Sequence, residues 1–198
     1  HTERKLGRCH IRRDETAIRC ADGAILGDKK ITGNLERTGW EGNKFRRYDG
    51  SYVNNEFILS KDELYYFDED GNKVTGWETI NEAKYFFDKE GYRETDWVKD
   101  NGTWYYLNEN GGMETGWVKD EGNWYYLDKS GAMQTDWVKD GNTWYYLNTD
   151  GAMQTGWLKD GDSWYYLNTN GSMKTGWLKD KETWYYLNTN GSMKTGWI

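Results

Sequence analysis

Twelve of the thirteen tryptophans in this chain keep a fixed interval. Trp77, Trp97, Trp117, Trp137, Trp157, Trp177 and Trp197 are spaced by 20 residues. Trp104, Trp124, Trp144, Trp164 and Trp184 each follow an outer tryptophan by seven. Rings brought together in this way attract a weakly hydrated cation, and each cation–π contact contributes about 0.5–2 kcal/mol. A quaternary ammonium suits such a box best, because it has no N–H to satisfy and needs no hydrogen-bond partner. The same rings also serve as plain core, since each buries a large apolar area. Spacing alone leaves these two readings level.

Other residues capable of chemistry fall into no catalytic pattern. His1 and His10 sit in no recognisable arrangement. Carboxylates are abundant, and glycosidases need a pair of them, yet Asp100, Asp120, Asp140, Asp160 and Asp180 occupy repeated slots that turn chemistry explains. Asp68-Glu69-Asp70-Gly71-Asn72 superficially resembles a calcium loop, but it aligns with a repeat turn and lacks the later bidentate Glu. Gly161-Asp162-Ser163 matches Gly141-Asn142-Thr143 and reads as a turn, not a nucleophile motif. No catalytic residue, metal ligand or cofactor is expected. Cys9 and Cys20 flank a hairpin-like segment with a turn at Arg13 to Thr16. An extracellular disulfide is expected there, contributing up to about 3 kcal/mol in the chain-entropy model.

The elements that position the rings follow from the repeat. Trp144-Tyr145-Tyr146-Leu147 suits a pleated strand, with Trp144 and Tyr146 on one face and Tyr145 and Leu147 on the other. The Asp150-Gly151 and Asn170-Gly171 steps signal tight turns. A second short strand is expected around Met153 to Leu158, and Lys159-Asp160-Gly161 turns the chain into the next unit. Twenty residues cannot enclose a core alone, so stability must come from stacking. The expected fold is an all-β solenoid of stacked hairpins. Upstream the repeat decays: Lys84 replaces the inner Trp, Phe57 takes the outer slot and Leu64 the inner one, and Phe45-Arg46-Arg47-Tyr48 stands for the aromatic strand after Trp40. Even Cys20-Ala21-Asp22-Gly23-Ala24-Ile25 echoes a repeat turn. Three regions result: a basic segment over 1–36 with the candidate disulfide hairpin, degenerate repeats over 37–96 and regular repeats over 97–198.

Composition agrees. Leu, Ile, Val and Phe total only 29 of 198 residues, which by itself suggests disorder. With 13 Trp, 16 Tyr and 5 Phe the chain still folds, around a core expected to consist of rings. There are 33 acids against 26 bases, a net charge of −7, which disfavours a nucleic-acid partner. Residues 1–50 carry 12 bases and 8 acids, while the rest of the chain carries 14 and 25. No apolar run reaches the roughly 20 residues of a membrane span. No leader opens the sequence, so a secreted product is read with its signal peptide removed, and the absence of Pro excludes a Leu-Pro-x-Thr-Gly sorting signal.

The run Gly156-Trp157-Leu158-Lys159-Asp160-Gly161-Asp162-Ser163-Trp164-Tyr165-Tyr166-Leu167-Asn168-Thr169-Asn170-Gly171-Ser172-Met173-Lys174-Thr175-Gly176-Trp177 resembles the choline-binding repeat of pneumococci and their phages. The match is clear over 77–198 and extends in decayed form towards residue 37. The resemblance implies a superhelix of hairpins that docks on phosphocholine of teichoic and lipoteichoic acids. Sites in that family use the outer and inner Trp of one repeat and a Tyr of the next, with a lining Met. Carried over, these are Trp97, Trp104 and Tyr126 with Met113; Trp117, Trp124 and Tyr146 with Met133; Trp137, Trp144 and Tyr166 with Met153; and Trp157, Trp164 and Tyr186 with Met173. No site is expected where Lys84 stands beside Trp77, since its charge repels choline. Trp177 and Trp184 would form a half-built site unless a second chain completes it.

The resulting expectation is a secreted, non-catalytic protein held non-covalently on the bacterial cell wall, acting as an adhesin or competing with wall hydrolases for choline. Several weak sites suit a polymeric ligand, since avidity exceeds single-site affinity by about 10²–10⁴. The basic N-terminal part is expected to face wall phosphates or a host or bacterial protein, so reversing Arg46 and Arg47 to Glu should weaken wall binding. The alternatives are a targeting module of a murein hydrolase and a glucan-binding repeat protein.

Overall fold

Aromatic and β-branched residues favour the pleated conformation, and two-residue turns join such segments into hairpins. In a computed structural model that describes residues 18–19, 25–26, 39–47 and 49–196, all regular structure is β. The strands are β1 (Ile18–Arg19), β2 (Ile25–Leu26), β3 (Gly39–Glu41), β4 (Lys44–Arg46), β5 (Glu56–Ser60) and β6 (Glu63–Phe67). They continue as β7 (Gly76–Ile80), β8 (Ala83–Phe87), β9 (Asp96–Asp100), β10 (Thr103–Leu107), β11 (Gly116–Asp120) and β12 (Asn123–Leu127). The last are β13 (Asp136–Asp140), β14 (Thr143–Leu147), β15 (Gly156–Asp160), β16 (Ser163–Leu167), β17 (Gly176–Asp180) and β18 (Thr183–Leu187). Each odd-numbered strand pairs with the next even-numbered one in a two-stranded sheet. Among the described residues no helix is long and apolar enough to cross a membrane.

The hairpin lies between the outer and the inner tryptophan, which shifts the phase expected from sequence. In β13–β14, Trp137 pairs with Tyr146 and Lys139 with Trp144. Asp150-Gly151 does not close this hairpin. It leads from Leu147 to a single bridge residue, Met153, and the next strand starts at Gly156. The reason is local. Asn148 donates its N–H to the carbonyl of Ala152, and its Oδ1 accepts the N–H of Ala152 at 2.9 Å, so a side chain uses up the groups that would extend the ladder.

The chain divides into two compact units. One runs up to Val98 and takes in Tyr106–Met113; the other comprises Lys99–Tyr105 and the chain from Glu114 onward. Each is a solenoid of stacked hairpins. Within the second unit, backbone N–H groups of Met133, Met153, Met173 and Met193 donate to the carbonyls of Trp104, Trp124, Trp144 and Trp164 at 2.7–2.8 Å. The first unit makes the same link from Arg93 to Leu64 and from Met113 to Lys84. Main chain rather than side chain therefore sets the stacking, and side chains on the hairpin faces are free to differ.

The core corrects one expectation. The fully buried side chains are Leu107, Leu127, Leu147, Leu167 and Leu187, joined upstream by Phe67, Phe87 and Val53. Upstream the core is made of rings as expected, with Tyr65 and Tyr66 buried beside Phe67 and Phe87, whereas in the regular repeats a leucine takes that place and the tryptophans are only partly covered. An aliphatic residue closes each regular repeat because the strand position after Tyr-Tyr faces inward while the inner Trp stands at the other end of the strand. In β3–β4 a second correction applies. Three-residue strands pair Trp40 with Phe45, so Arg46 takes the inward leucine slot, bridged to Tyr52. Only Phe45 of the expected aromatic run faces the ring side; Tyr48 lies outside the described residues. Cys9 and Cys20 also lie outside them, as does Trp197.

Candidate aromatic cages

Alternation gives each regular hairpin two unlike faces. On one lie Trp137, Lys139, Trp144 and Tyr146, and on the other Val138, Tyr145 and Leu147. Successive hairpins of the second unit stack the second kind of face onto the first. Trp117 meets Tyr126 of its own hairpin at 5.0 Å and Tyr145 of the next at 4.7 Å. Trp137 meets Tyr146 at 5.2 Å and Tyr165 at 4.8 Å. Trp157 meets Tyr166 at 5.2 Å and Tyr185 at 4.7 Å, with Trp164 at 6.4 Å and nearly perpendicular. Each of these outer tryptophans is therefore packed edge to face between a tyrosine of its own hairpin and one of the next. The inner tryptophans keep 38–41% of their surface exposed at Trp104, Trp124, Trp144 and Trp164.

The tyrosine that reaches back is thus the first of each pair. Tyr146, Tyr166 and Tyr186, expected to close the cages of the preceding repeat, instead pack on Trp137, Trp157 and Trp177 of their own hairpins. The alternation was legible, but the face turned towards the preceding repeat is the one bearing Tyr145 and Leu147. The backbone of the methionines bonds to the preceding repeat in the same sense. The backbone bonds just described place Met153 beside Trp124, Met173 beside Trp144 and Met193 beside Trp164. Their side chains run over the next turn: a Cβ on Gly151, Gly171 or Gly191 would lie 2.5, 2.2 or 2.2 Å from the sulfur of Met133, Met153 or Met173.

Three aspartates enter the site that sequence reasoning assigned to turns. Trp117 Nε1–H donates to Asp140 Oδ2 at 3.1 Å, Trp137 to Asp160 at 2.9 Å, and Trp157 to Asp180 at 2.9 Å. Asp160 is also felt at Tyr146, whose phenol is pushed up by burial first and by Asp136 and Asp160 next. Lys119 and Lys139 stand on the inner side, with ammonium groups 5.8 Å from the rings of Trp124 and Trp144.

The remaining expected residues divide as follows. Of the set Trp97, Trp104, Tyr126 and Met113, Trp97 and Met113 belong to the first unit and Trp104 and Tyr126 to the second. Trp97 packs on Tyr106 at 5.1 Å, and Tyr126 packs on Trp117. Trp177 and Trp184 lie 6.1 Å apart and are the most exposed rings, at 53% and 60%. Lys84 sits 4.6 Å from the ring of Trp77, so a cation of the chain itself lies on that face. Arg46 pairs with Glu41 at 3.3 Å and Arg47 with Glu56. Among the described residues no group of three or more His, Cys, Asp or Glu is arranged to hold a metal.

Comparison with known proteins agrees with this architecture. The choline-binding repeat model matches residues 74–115, 114–155, 135–175 and 154–197, and a cell wall binding repeat matches 55–73. Choline binding protein F of Streptococcus pneumoniae, crystallised in the presence of a peptidoglycan analogue, is 33% identical with a TM-score of 0.72, over 87% of this chain and 67% of its own. A structure of CbpF soaked with ipratropium is 31% identical, TM-score 0.66, over 90% of this chain and 62% of that one. The choline-binding domain of CbpL from Streptococcus pneumoniae is 27% identical, TM-score 0.65, over 95% of this chain and 97% of that domain. Among curated proteins none matches in sequence. With repeat matches over most of its length and the same stacked hairpins, the chain belongs to the choline-binding repeat family.

Proposed function

We propose that this protein is a non-catalytic, non-covalently attached protein of the bacterial surface that captures phosphocholine of teichoic and lipoteichoic acids. The cages are Trp117, Trp124 and Tyr145 beside Met153; Trp137, Trp144 and Tyr165 beside Met173; and Trp157, Trp164 and Tyr185 beside Met193. One observation carries this reading. Inner tryptophans stay 38–60% exposed in every regular repeat while a leucine takes the buried slot, so the rings are not spent on the core. Ipratropium, the compound soaked into CbpF, is itself a quaternary ammonium ion. Several cages on one solenoid suit a polymer that displays choline repeatedly, as an adhesin or a competitor of wall hydrolases would require.

The test is a choline titration followed by tryptophan fluorescence and thermal stability, with glucose oligomers as control. A ligand that binds only the folded state raises the melting temperature. The expected result is a saturable shift with choline alone, reduced in Trp144→Ala combined with Trp164→Ala. No shift at high millimolar choline would overturn the reading, and a shift with glucose oligomers would favour a glucan binder.

A further inference from the structure

Each cage carries a carboxylate that ring chemistry alone does not require. Asp140, Asp160 and Asp180 end the first strand of their repeats and reach back to the outer tryptophan of the repeat before, at 3.1, 2.9 and 2.9 Å. The turns that follow differ: Gly141-Asn142, Gly161-Asp162 and Lys181-Glu182. A carboxylate kept in front of three unlike turns answers to the indole rather than to the turn. The consequences for a cage are physical. An N–H bonded to an ionised acceptor is held more firmly than one bonded to a neutral group, so the indole plane is set before a ligand arrives. Donation to a carboxylate also polarises the ring, and a full negative charge attracts a cation held against it. At the inner wall, Lys119 and Lys139 place like charge 5.8 Å from Trp124 and Trp144, which the aspartates offset.

We propose that Asp140, Asp160 and Asp180 are positioning and specificity residues of the cages built on Trp117, Trp137 and Trp157. Each fixes the outer indole and makes the cage prefer a cationic headgroup over a neutral one of equal shape. This rests on the cage reading above, and the experiment separates the two. Choline and its neutral carbon isostere, 3,3-dimethyl-1-butanol, are titrated against the full chain and two triple variants, Asp140→Asn/Asp160→Asn/Asp180→Asn and the corresponding Ala set. Asparagine keeps an acceptor for the indole and removes the charge. Choline affinity should fall about fivefold in the Asn set, while affinity for the alcohol stays level. In the Ala set both ligands should weaken. The single variant Asp160→Asn, followed through the indole N–H resonance of Trp137, gives the same readout should a triple variant fail to fold. Choline affinity within twofold of the parent in folded variants, or an unmoved Trp137 midpoint, overturns the proposal. A parent chain that binds no choline overturns the cage reading instead.

Discussion

Two hairpins built on one plan treat their tryptophans in opposite ways. In β7–β8 the inner slot is Lys84, and its ammonium lies 4.6 Å from the ring of Trp77. In β13–β14 the inner slot is Trp144, exposed, with Lys139 farther off at 5.8 Å. The contrast extends to the bridge residue. Where the second unit has Met133, Met153, Met173 and Met193, the first has Lys73 and Arg93 before its last bridge residue, Met113. Lys73 lies 5.5 Å from the ring of Trp40 and donates to the carbonyl of Glu90; Arg93 donates to that of Asn110 at 2.7 Å. Both units set lysines against rings, Lys73 and Lys84 in the first and Lys99, Lys119 and Lys139 in the second, but only in the first does a lysine take the slot of the inner tryptophan, whereas the second keeps exposed inner indoles at Trp104, Trp124, Trp144 and Trp164. Stacking permits both, because backbone bonds and one buried apolar residue per repeat hold the hairpins together whatever the outer rings face.

The strongest way to break this comparison is through the shared interior. Leu147 and Phe87 are both fully buried. Leu147→Ala should cost about 2–5 kcal/mol and Phe87→Ala about 3–5 kcal/mol in urea unfolding. Choline should restore stability to the first variant more than to the second. Equal rescue would mean that the first unit also takes ligand.

Alkali should act on both units, through Tyr146 in the second and most strongly through Tyr65 in the first. Burial, reinforced by a hydrogen bond with Tyr92, pushes the Tyr65 phenol up to about 12, and burial raises Tyr66 as well. An unfolded tyrosine releases its proton near pH 10, so the folded form holds more protons between pH 10 and 12. Stability is intact below that window and falls as pH rises through it. Tyr65→Phe should flatten the decline, as measured by melting temperature against pH. A slope unchanged by this substitution would place the sensitive group elsewhere.

A smaller effect probes the methionine spacer. Gly171 has φ +81°, and a Cβ there would meet the Met153 sulfur at 2.2 Å. Gly171→Ala should therefore cost about 1–2 kcal/mol for the left-handed backbone. Because the flexible thioether can move aside, Met153→Ala in the same background should recover little. The matching glycine of the first unit, Gly91, lies under the Lys73 stem, so the two regions should respond alike here.

Much of this was legible in the residues. Period 20 with an offset of seven identified the repeat, and alternation along Trp-Tyr-Tyr-Leu correctly separated Tyr145 from Tyr146. The misplaced tyrosines had a simple cause: a single hairpin does not reveal which face it turns to its predecessor, and that choice is made by backbone bonds such as that from Met153 to Trp124. The hairpin phase was misread because Asp150-Gly151 and Gly161-Asp162 both look like turns, and only the Asn148 side chain decides between them. The aspartates left a usable signal. Asp140, Asp160 and Asp180 stay constant before turns that vary, which a purely local turn role does not explain.

The smallest effect tests the comparison most directly. Lys84→Gln shortens the side chain by one methylene, keeps a polar tip and removes the charge over Trp77, at a cost of about 0.5–1 kcal/mol for a partly exposed cation–π contact. If the ammonium acts as an internal stand-in for a ligand cation, the first unit should become slightly less stable without choline, and the Trp77 indole should begin to respond to added choline. The indole N–H resonances report each ring separately, so Trp77 is read beside Trp137 in one titration. A loss of stability with no choline response at Trp77 would mean that the lysine only packs, and that the missing inner tryptophan, not the added charge, closes this repeat.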